Sequence, residues 1–472
     1  MMPNPRTKRI LFSLLIAHSL WLTTGCLSID YTPLRQQPSF QKTERILARL
    51  DRGWSREHPA GPLQIGTARI ELTPRAGLPL AGYGARTSTG ILDPIMARAL
   101  AISDGRETVV ILSLDLLAVT DDFFDSVFKK VHAAIPLSEE NLLVAATHTH
   151  SGPGALGKRF WEVLAAGPFN ADFFEQTTDR AATAVIESYR GLRPAVMAHG
   201  HADAADRIQN RMIKDGPTDP DLSFLIFKTP DRKTLAYLIN FSAHPTLLRS
   251  TNRLLSGDFP AAVSRALEKY DGKDNGRREG EREGQQGILA LYTSGAVADQ
   301  RARPPEGKNV YERTERMGRE LARRILAAED HLSFESSAEV SGRAVAIDLP
   351  PPQIKVNPDH RLPVWMGRTL LNGTTRLQAV RIGRTVLLGV PCDLGSEIGL
   401  ALKQSARTKG LDAMIVGFAN AYIGYVIPGK YYASPAYAAF MSFNGPYMED
   451  YTVFVLEKLL DGLRAVPAAP DR

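Results

Sequence analysis

Only two cysteines, Cys26 and Cys392, occur in the 472 residues, so no disulfide framework holds this chain together. Long apolar runs are missing as well. The stretch 10–22 is interrupted by Ser13, His18 and Ser19 and is too short for a comfortable membrane span. There is no G-x-S-x-G elbow at a strand-to-helix turn, which argues against a serine hydrolase. Nor is there a nucleic-acid module, and 57 Lys and Arg against 51 Asp and Glu leave a net charge of only +6. No nucleic-acid partner is expected, although a basic exterior with a pI near 9.2 suits anionic lipid or polyanions. No internal repeat is visible.

The composition that remains, 44% hydrophobic and 23% charged, is that of a globular chain with ample material for a core. At the N-terminus Arg6, Lys8 and Arg9 precede the apolar stretch, and Leu22-Thr23-Thr24-Gly25-Cys26 follows it. A basic region, a short apolar region and a small residue before Cys form a bacterial lipoprotein signal. Residues 1–26 are therefore expected to be a signal peptide, with Cys26 lipidated. The protein would be exported and anchored at a membrane surface of the bacterial cell envelope, facing the periplasm or the exterior. Residues 27–62 read as a polar tether with one short helix over 40–50, and residues 63–466 as a catalytic domain.

Short apolar runs predict strands at 65–72, 97–103, 108–115, 141–147, 194–199, 222–228, 234–242, 287–293, 376–382, 384–391 and 412–418. Helical patterns fall at 120–134, 172–190, 258–270, 308–328, 394–407 and 446–464. The alternation implies an α/β fold, a mixed sheet covered by helices, with a metal site at strand carboxyl ends. The charged, Gly-rich segment 272–287 reads as a flexible surface loop, and the Pro-rich 349–363 as a connector.

The chemistry-bearing residues lie just past the apolar runs. Thr147-His148-Thr149-His150 is followed by Ser-Gly-Pro-Gly, and in an extended chain His148 and His150 share one face. The pair reads either as half of a metal site or as two hydrogen-bonded loop histidines. His244 ends the 234–242 run and is held by Pro245; Asp258 begins the next helix, where capping is one reading. Asp299, Asp393 and Tyr425 stand past three further runs. Neutral imidazoles with a carboxylate are the ligand set of a catalytic Zn2+, which keeps one position open for water. A second pair, His199 and His201, precedes an acidic stretch without a tight turn and reads as a decoy.

These residues carry a resemblance to the neutral/alkaline, non-lysosomal ceramidases over roughly residues 64–440. The matching motifs are Leu80-Ala81-Gly82-Tyr83-Gly84, Ala146 to Gly154, Asn210-Arg211, Phe241 to Thr246, Ser256-Gly257-Asp258, and Asn420-Ala421-Tyr422-Ile423-Gly424-Tyr425. By that resemblance His148, His244, Asp393 and Tyr425 would hold the zinc. Asp393 stands where the family has a longer Glu. His150 would be a substrate contact and proton shuttle. Gly82 and Arg211 would line the substrate pocket, Tyr437 would touch substrate and take part in catalysis, and Asp299 would belong to the catalytic set. One departure is notable: the family's active-site Ser, in Gly-Asp-x-Ser-Pro, is replaced here by Arg301, which could clash with a sphingoid head group or bind an anionic one. The family's C-terminal immunoglobulin-like domain is expected to be lacking. The implied activity is zinc-dependent hydrolysis of the N-acyl amide of ceramide or a ceramide-like lipid, giving a fatty acid and a sphingoid base. The alternatives are a zinc hydrolase of another N-acyl or ester substrate and a catalytically degenerate, lipid-binding envelope lipoprotein.

Overall fold

The computed structural model describes residues 27–50, 59–84, 86–269 and 287–463. The lipidation motif at Cys26 and most of the Gly-rich 272–287 segment lie outside the described residues. The chain is mixed α/β and carries three principal sheets. Helix α1 (Pro38–Leu50) precedes them. The first sheet holds β1 (Gln64–Glu71), β2 (Met96–Ser103), β3 (Thr108–Leu114) and β4 (Leu142–Ala146), with a short Arg193–Pro194 strand on its β1 edge. The second holds β5 (Val196–Asp203), β6 (Asp221–Lys228), β7 (Thr234–Phe241) and β8 (Leu289–Ser294). The third holds β9 (Val340–Asp348), β10 (Thr374–Ile382), β11 (Thr385–Gly389) and β12 (Asp412–Val416).

All three follow one plan. The first two pairings are antiparallel and the last is parallel. A parallel neighbour needs a crossover, and in each sheet a helix supplies it. The crossovers are α2 (Asp121–His132), α4 (Asp258–Glu268) and α6 (Ser396–Thr408). A second helix follows each last strand: α3 (Ala171–Arg190), α5 (Val310–Glu329) and α7 (Met448–Asp461).

Alternation along the strands explains the layering. On β3, Val109 and Ile111 face a central core that all three sheets share, while Val110, Leu112 and Leu114 face α2 and α3. On β7, Ala236 and Leu238 join the central core, and Tyr237, Ile239 and Phe241 join α4 and α5. On β11, Leu387 points inward and Val386 and Leu388 point to α6 and α7. Strands buried on both faces read as continuous apolar runs, which is why they stand out in the sequence.

Each of the eleven strand segments expected from sequence overlaps an observed strand, and the six main helices and the 40–50 helix all form. Strand β9 was not anticipated: Gly342 and Arg343 break its apolar run, and nine cross-strand pairs to β10 hold it instead. The short helices Phe160–Ala166, Val364–Leu370 and Tyr437–Phe440 were also not anticipated. Within the stretch read as a tether, α1 is docked. Phe40 and Leu47 are buried in the same core as α6 and α7, and the Phe40 ring lies 5.5 Å from that of Tyr451.

Under the first sheet, Arg98 on β2 is buried between two carboxylates. Its Nη1 is 3.1 Å from Asp115 and its Nε 3.0 Å from Glu268 on α4, tying the first unit to the second. Removing one member of such a group leaves uncompensated buried charge. Arg98→Ala should therefore lower the unfolding free energy by about 3–5 kcal/mol, read by urea denaturation; a change below ~1 kcal/mol would contradict this account.

Candidate metal centre

His148 and His150 follow β4, and His244 follows β7. The Nε2 atoms of His148 and His244 are 3.0 Å apart, those of His150 and His244 3.0 Å, and those of His150 and His148 3.2 Å. His148 Nδ1 is 2.6 Å from the Leu117 carbonyl oxygen, and His244 Nδ1 is 3.4 Å from that of Val297. A carbonyl only accepts, so in both rings the proton sits on Nδ1 and Nε2 presents a lone pair. Burial pushes the His148 and His244 imidazoles well below their usual value, and His150 down to about 3, with the charge of Arg211 acting in the same direction. Three neutral imidazoles thus converge, and a point about 2 Å from each nitrogen fits the triangle they make.

Asp393, beyond the end of β11, is fully buried. Its Oδ2 accepts from the Tyr422 hydroxyl at 2.7 Å, whereas Oδ1 lies 3.6 Å from His148 Nε2 and has no hydrogen-bond partner among the described residues. Burial pushes this carboxyl up to about 7 against the opposing Tyr422 hydrogen bond. Convergent lone pairs repel one another, and an orphaned buried carboxylate oxygen is costly. One cation relieves both penalties, and the donors, imidazole nitrogens and a carboxylate, are those zinc takes.

The shell around these groups is tightly determined. Phe418 stacks on His148 with ring centroids 3.7 Å apart and planes 6° apart. His148, Asp258, Phe418 and Asn420 all have positive φ, between 57° and 63°. Such strain persists only where its surroundings over-determine it. Arg211 donates through Nε and Nη2 to the Ala298 carbonyl at 3.0 and 2.7 Å, and through Nη2 to the Tyr425 hydroxyl at 3.1 Å. Tyr437 is 67% exposed, and its ring meets that of Tyr425 edge-on at 5.8 Å. Gly82 has φ +100°, and a Cβ there would stand 2.5 Å from His150 Nδ1, so this glycine is the wall that seats His150.

The residues singled out in the sequence thus divide. His148, His150, His244 and Asp393 come together, with Tyr425, Arg211 and Tyr437 adjoining. His150 stands 3.0 and 3.2 Å from the other two imidazoles, which are 3.0 Å from each other. Asp299 is engaged elsewhere: Oδ1 accepts from Ser396 N at 2.8 Å, and Oδ2 from Asn210 at 2.8 Å and the Ser396 hydroxyl at 2.7 Å. Asp258 accepts from the backbone of Leu248 and Phe259, fastening the His244 loop to α4. Arg301 is exposed and its backbone bridges that of His244. His199 and His201 sit on β5 beside Asp412 and Asp221. Sequence reasoning gave no role to Phe418 or Tyr422; the Asn-x-Tyr motif was the only signal for the latter.

Residues 63–303 match the family described as neutral/alkaline non-lysosomal ceramidase, N-terminal. The neutral ceramidase of Pseudomonas aeruginosa is 21% identical over an alignment taking in 82% of this chain and 70% of that protein. That of Drosophila melanogaster is 21% identical, with 86% and 76% covered. Neutral ceramidase 1 of Arabidopsis thaliana is 23% identical over 52% of this chain, but only 34% of its own length is covered. Among solved structures, the crystal structure of the Pseudomonas aeruginosa enzyme superposes with a TM-score of 0.73 at 20% identity, covering 87% of this chain and 76% of that one. A ceramidase complexed with C2 gives 0.72 at 19% identity. At these identities the superpositions establish the fold.

Gly82→Ala should push His150 out of the ring. Bound metal per chain should fall by about 10-fold or more while the far-ultraviolet circular dichroism stays that of the parent; full metal content in this variant would contradict the packing argument.

Proposed function

Because this chain belongs to the neutral/alkaline non-lysosomal ceramidase family, we propose that it is an amide hydrolase that uses a zinc ion to cleave the N-acyl bond of a ceramide-like lipid. The observation that carries this reading is the closed ring of imidazole lone pairs beside an unpartnered buried carboxylate oxygen. His148, His244 and Asp393 would hold the ion from the buried side, with Tyr425 next to them. Bound there, zinc supplies a Lewis acid for the amide carbonyl and brings the pKa of a water molecule to about 7.

The chain's own groups do the rest. The Leu117 and Val297 carbonyls keep the two buried imidazoles in the tautomer that offers Nε2. His150 is the partly exposed member of the ring, so it is the one that substrate meets, and its Nε2 closes the ring of lone pairs on the open side. Arg211, fixed through Nε and Nη2, keeps Nη1 for a substrate oxygen and adds positive charge where the oxyanion develops. The exposed Tyr437 ring flanks the opening over Tyr425. Asp299 acts as a positioning residue that holds Asn210, next to Arg211, against the start of α6.

The same reading extends to location. The basic and apolar N-terminus ending in Cys26 supports an exported lipoprotein of the cell envelope, held at the membrane that contains its substrate. No helix among the described residues is long and apolar enough to cross a membrane. Cys26→Ser should shift the protein from the membrane to the soluble fraction and abolish palmitate labelling; retention at the membrane would refute the anchor.

Zinc quantitation joined to a lipid hydrolysis screen tests the activity. We expect near one zinc per chain and release of fatty acid from N-acyl sphingosine. His148→Ala and His244→Ala should each lower activity by more than ~100-fold, beyond what losing an outer partner costs, and should lose the metal. A His148→Ala protein with full zinc and full activity would overturn the assignment.

A further inference from the structure

Next to the histidine ring is a cavity of about 360 Å³ whose lining includes Arg249, Arg301, Arg313, Gln209 and Thr246. Three arginines line this space, and among the described residues none of them makes an ion pair with a carboxylate. Two are anchored in ways that leave donors free. With the Gln209 amide oriented by its partners, its oxygen accepts from Arg301 Nη2 and Nε at 2.6 and 3.0 Å, which leaves Nη1. Arg313 donates Nε to the Gly307 carbonyl at 3.0 Å, which leaves its two terminal nitrogens. The 20-residue helix α5 begins at this wall: Val310 and Arg313, in its first turn, line the cavity, so the positive end of its dipole adds to the field. The one acid of that turn, Glu312, is turned to Arg316 and to the Lys308 amide.

The cavity adjoins the loop that carries His244. Arg301 bridges His244 through the backbone, and Thr246 lies two residues beyond His244, within about 7 Å along the chain. Thr246 also meets the hydroxyl of Tyr83, whose ring stands 4.7 Å from that of His150. Clustered like charges without counter-ions are unfavourable unless an anion joins them, and free guanidinium forks match carboxylate and phosphate oxygens in pairs. A neutral sphingoid amine would leave all three arginines unanswered.

We propose that this cavity binds an anionic group, carboxylate or phosphate, on the amine portion of the N-acyl substrate, so that the preferred substrate is an anionic N-acyl amine rather than neutral ceramide. The proposal rests on the amidase reading above for its catalytic half alone. It is tested with the purified metal-loaded protein on three substrates: N-dodecanoyl glycine, ceramide 1-phosphate and ceramide. Binding of inorganic phosphate is measured separately by calorimetry.

We expect one of the two anionic substrates to exceed ceramide in kcat/KM by at least ~10-fold, and the better of them names the anion. Arg301→Ala and Arg313→Ala should each reduce that preference by ~10-fold or more, mainly through KM, and weaken phosphate binding in parallel; Arg301→Lys, which keeps charge without the fork, should retain part of both. If no substrate turns over but phosphate binds in an arginine-dependent way, the cavity stands and the amidase reading falls. If ceramide is cleaved as well as the anionic substrates, and the folded Arg301→Ala/Arg313→Ala double variant leaves both preference and phosphate binding unchanged, the cavity proposal falls and the amidase reading stands.

Discussion

Mutual repulsion among groups that point at one another is the constraint around which this structure is organised. Three imidazole nitrogens within 3.2 Å, each offering a lone pair, and a buried carboxylate oxygen with no hydrogen-bond partner among the described residues are not stable company on their own. They are held there by bonds that look outward: carbonyls behind two of the rings, a glycine wall behind the third, a stacked phenyl ring on His148 and a tyrosine hydroxyl on Asp393. The cost of that arrangement is carried by the scaffold. The left-handed backbone at His148, Phe418 and Asn420 sits in the same few residues for the same reason.

The scaffold can carry it because it is assembled from one plan used three times. Each unit is a three-stranded meander, a crossover helix, a fourth parallel strand and a covering helix. The reactive groups fall at the same two places, beyond the third strand and beyond the fourth. His148 and His150 follow a fourth strand and His244 a third. Asp299 follows a fourth, Asp393 a third, and Tyr425 stands beyond a fourth. The third strand of the first unit is followed by Asp115, spent on Arg98 instead. A shared architecture has been given different chemistry at equivalent points, so that the centre draws its members from all three units.

Much of the fold was legible in the sequence because the strands are buried on both faces and therefore appear as unbroken runs of Val, Ile, Leu and Ala. The exception, β9, is the strand with Gly342 and Arg343 in it; its identity comes from pairing with β10, which a local pattern does not record. Missing that strand also hid the repeat, since the third unit then seems to lack its opening. At the centre, histidines and acids at strand ends were visible as residue types in suggestive places. Their division of labour was not. That Asp299 spends both oxygens on Asn210 and Ser396 depends on segments almost a hundred positions apart. Likewise the arginines at 249, 301 and 313 are scattered in sequence and become one surface only through the turn after His244 and the start of α5.

Because the ring is closed by residues of the first and second units and its carboxylate comes from the third, no fragment of the chain can capture an ion with the full set. Asp393 and Tyr425 come well after the histidines they join in the order of the chain. The full set of donors therefore exists only once the third unit has packed against the other two, so an ion would be gripped by all of them at the end of folding and not along the way.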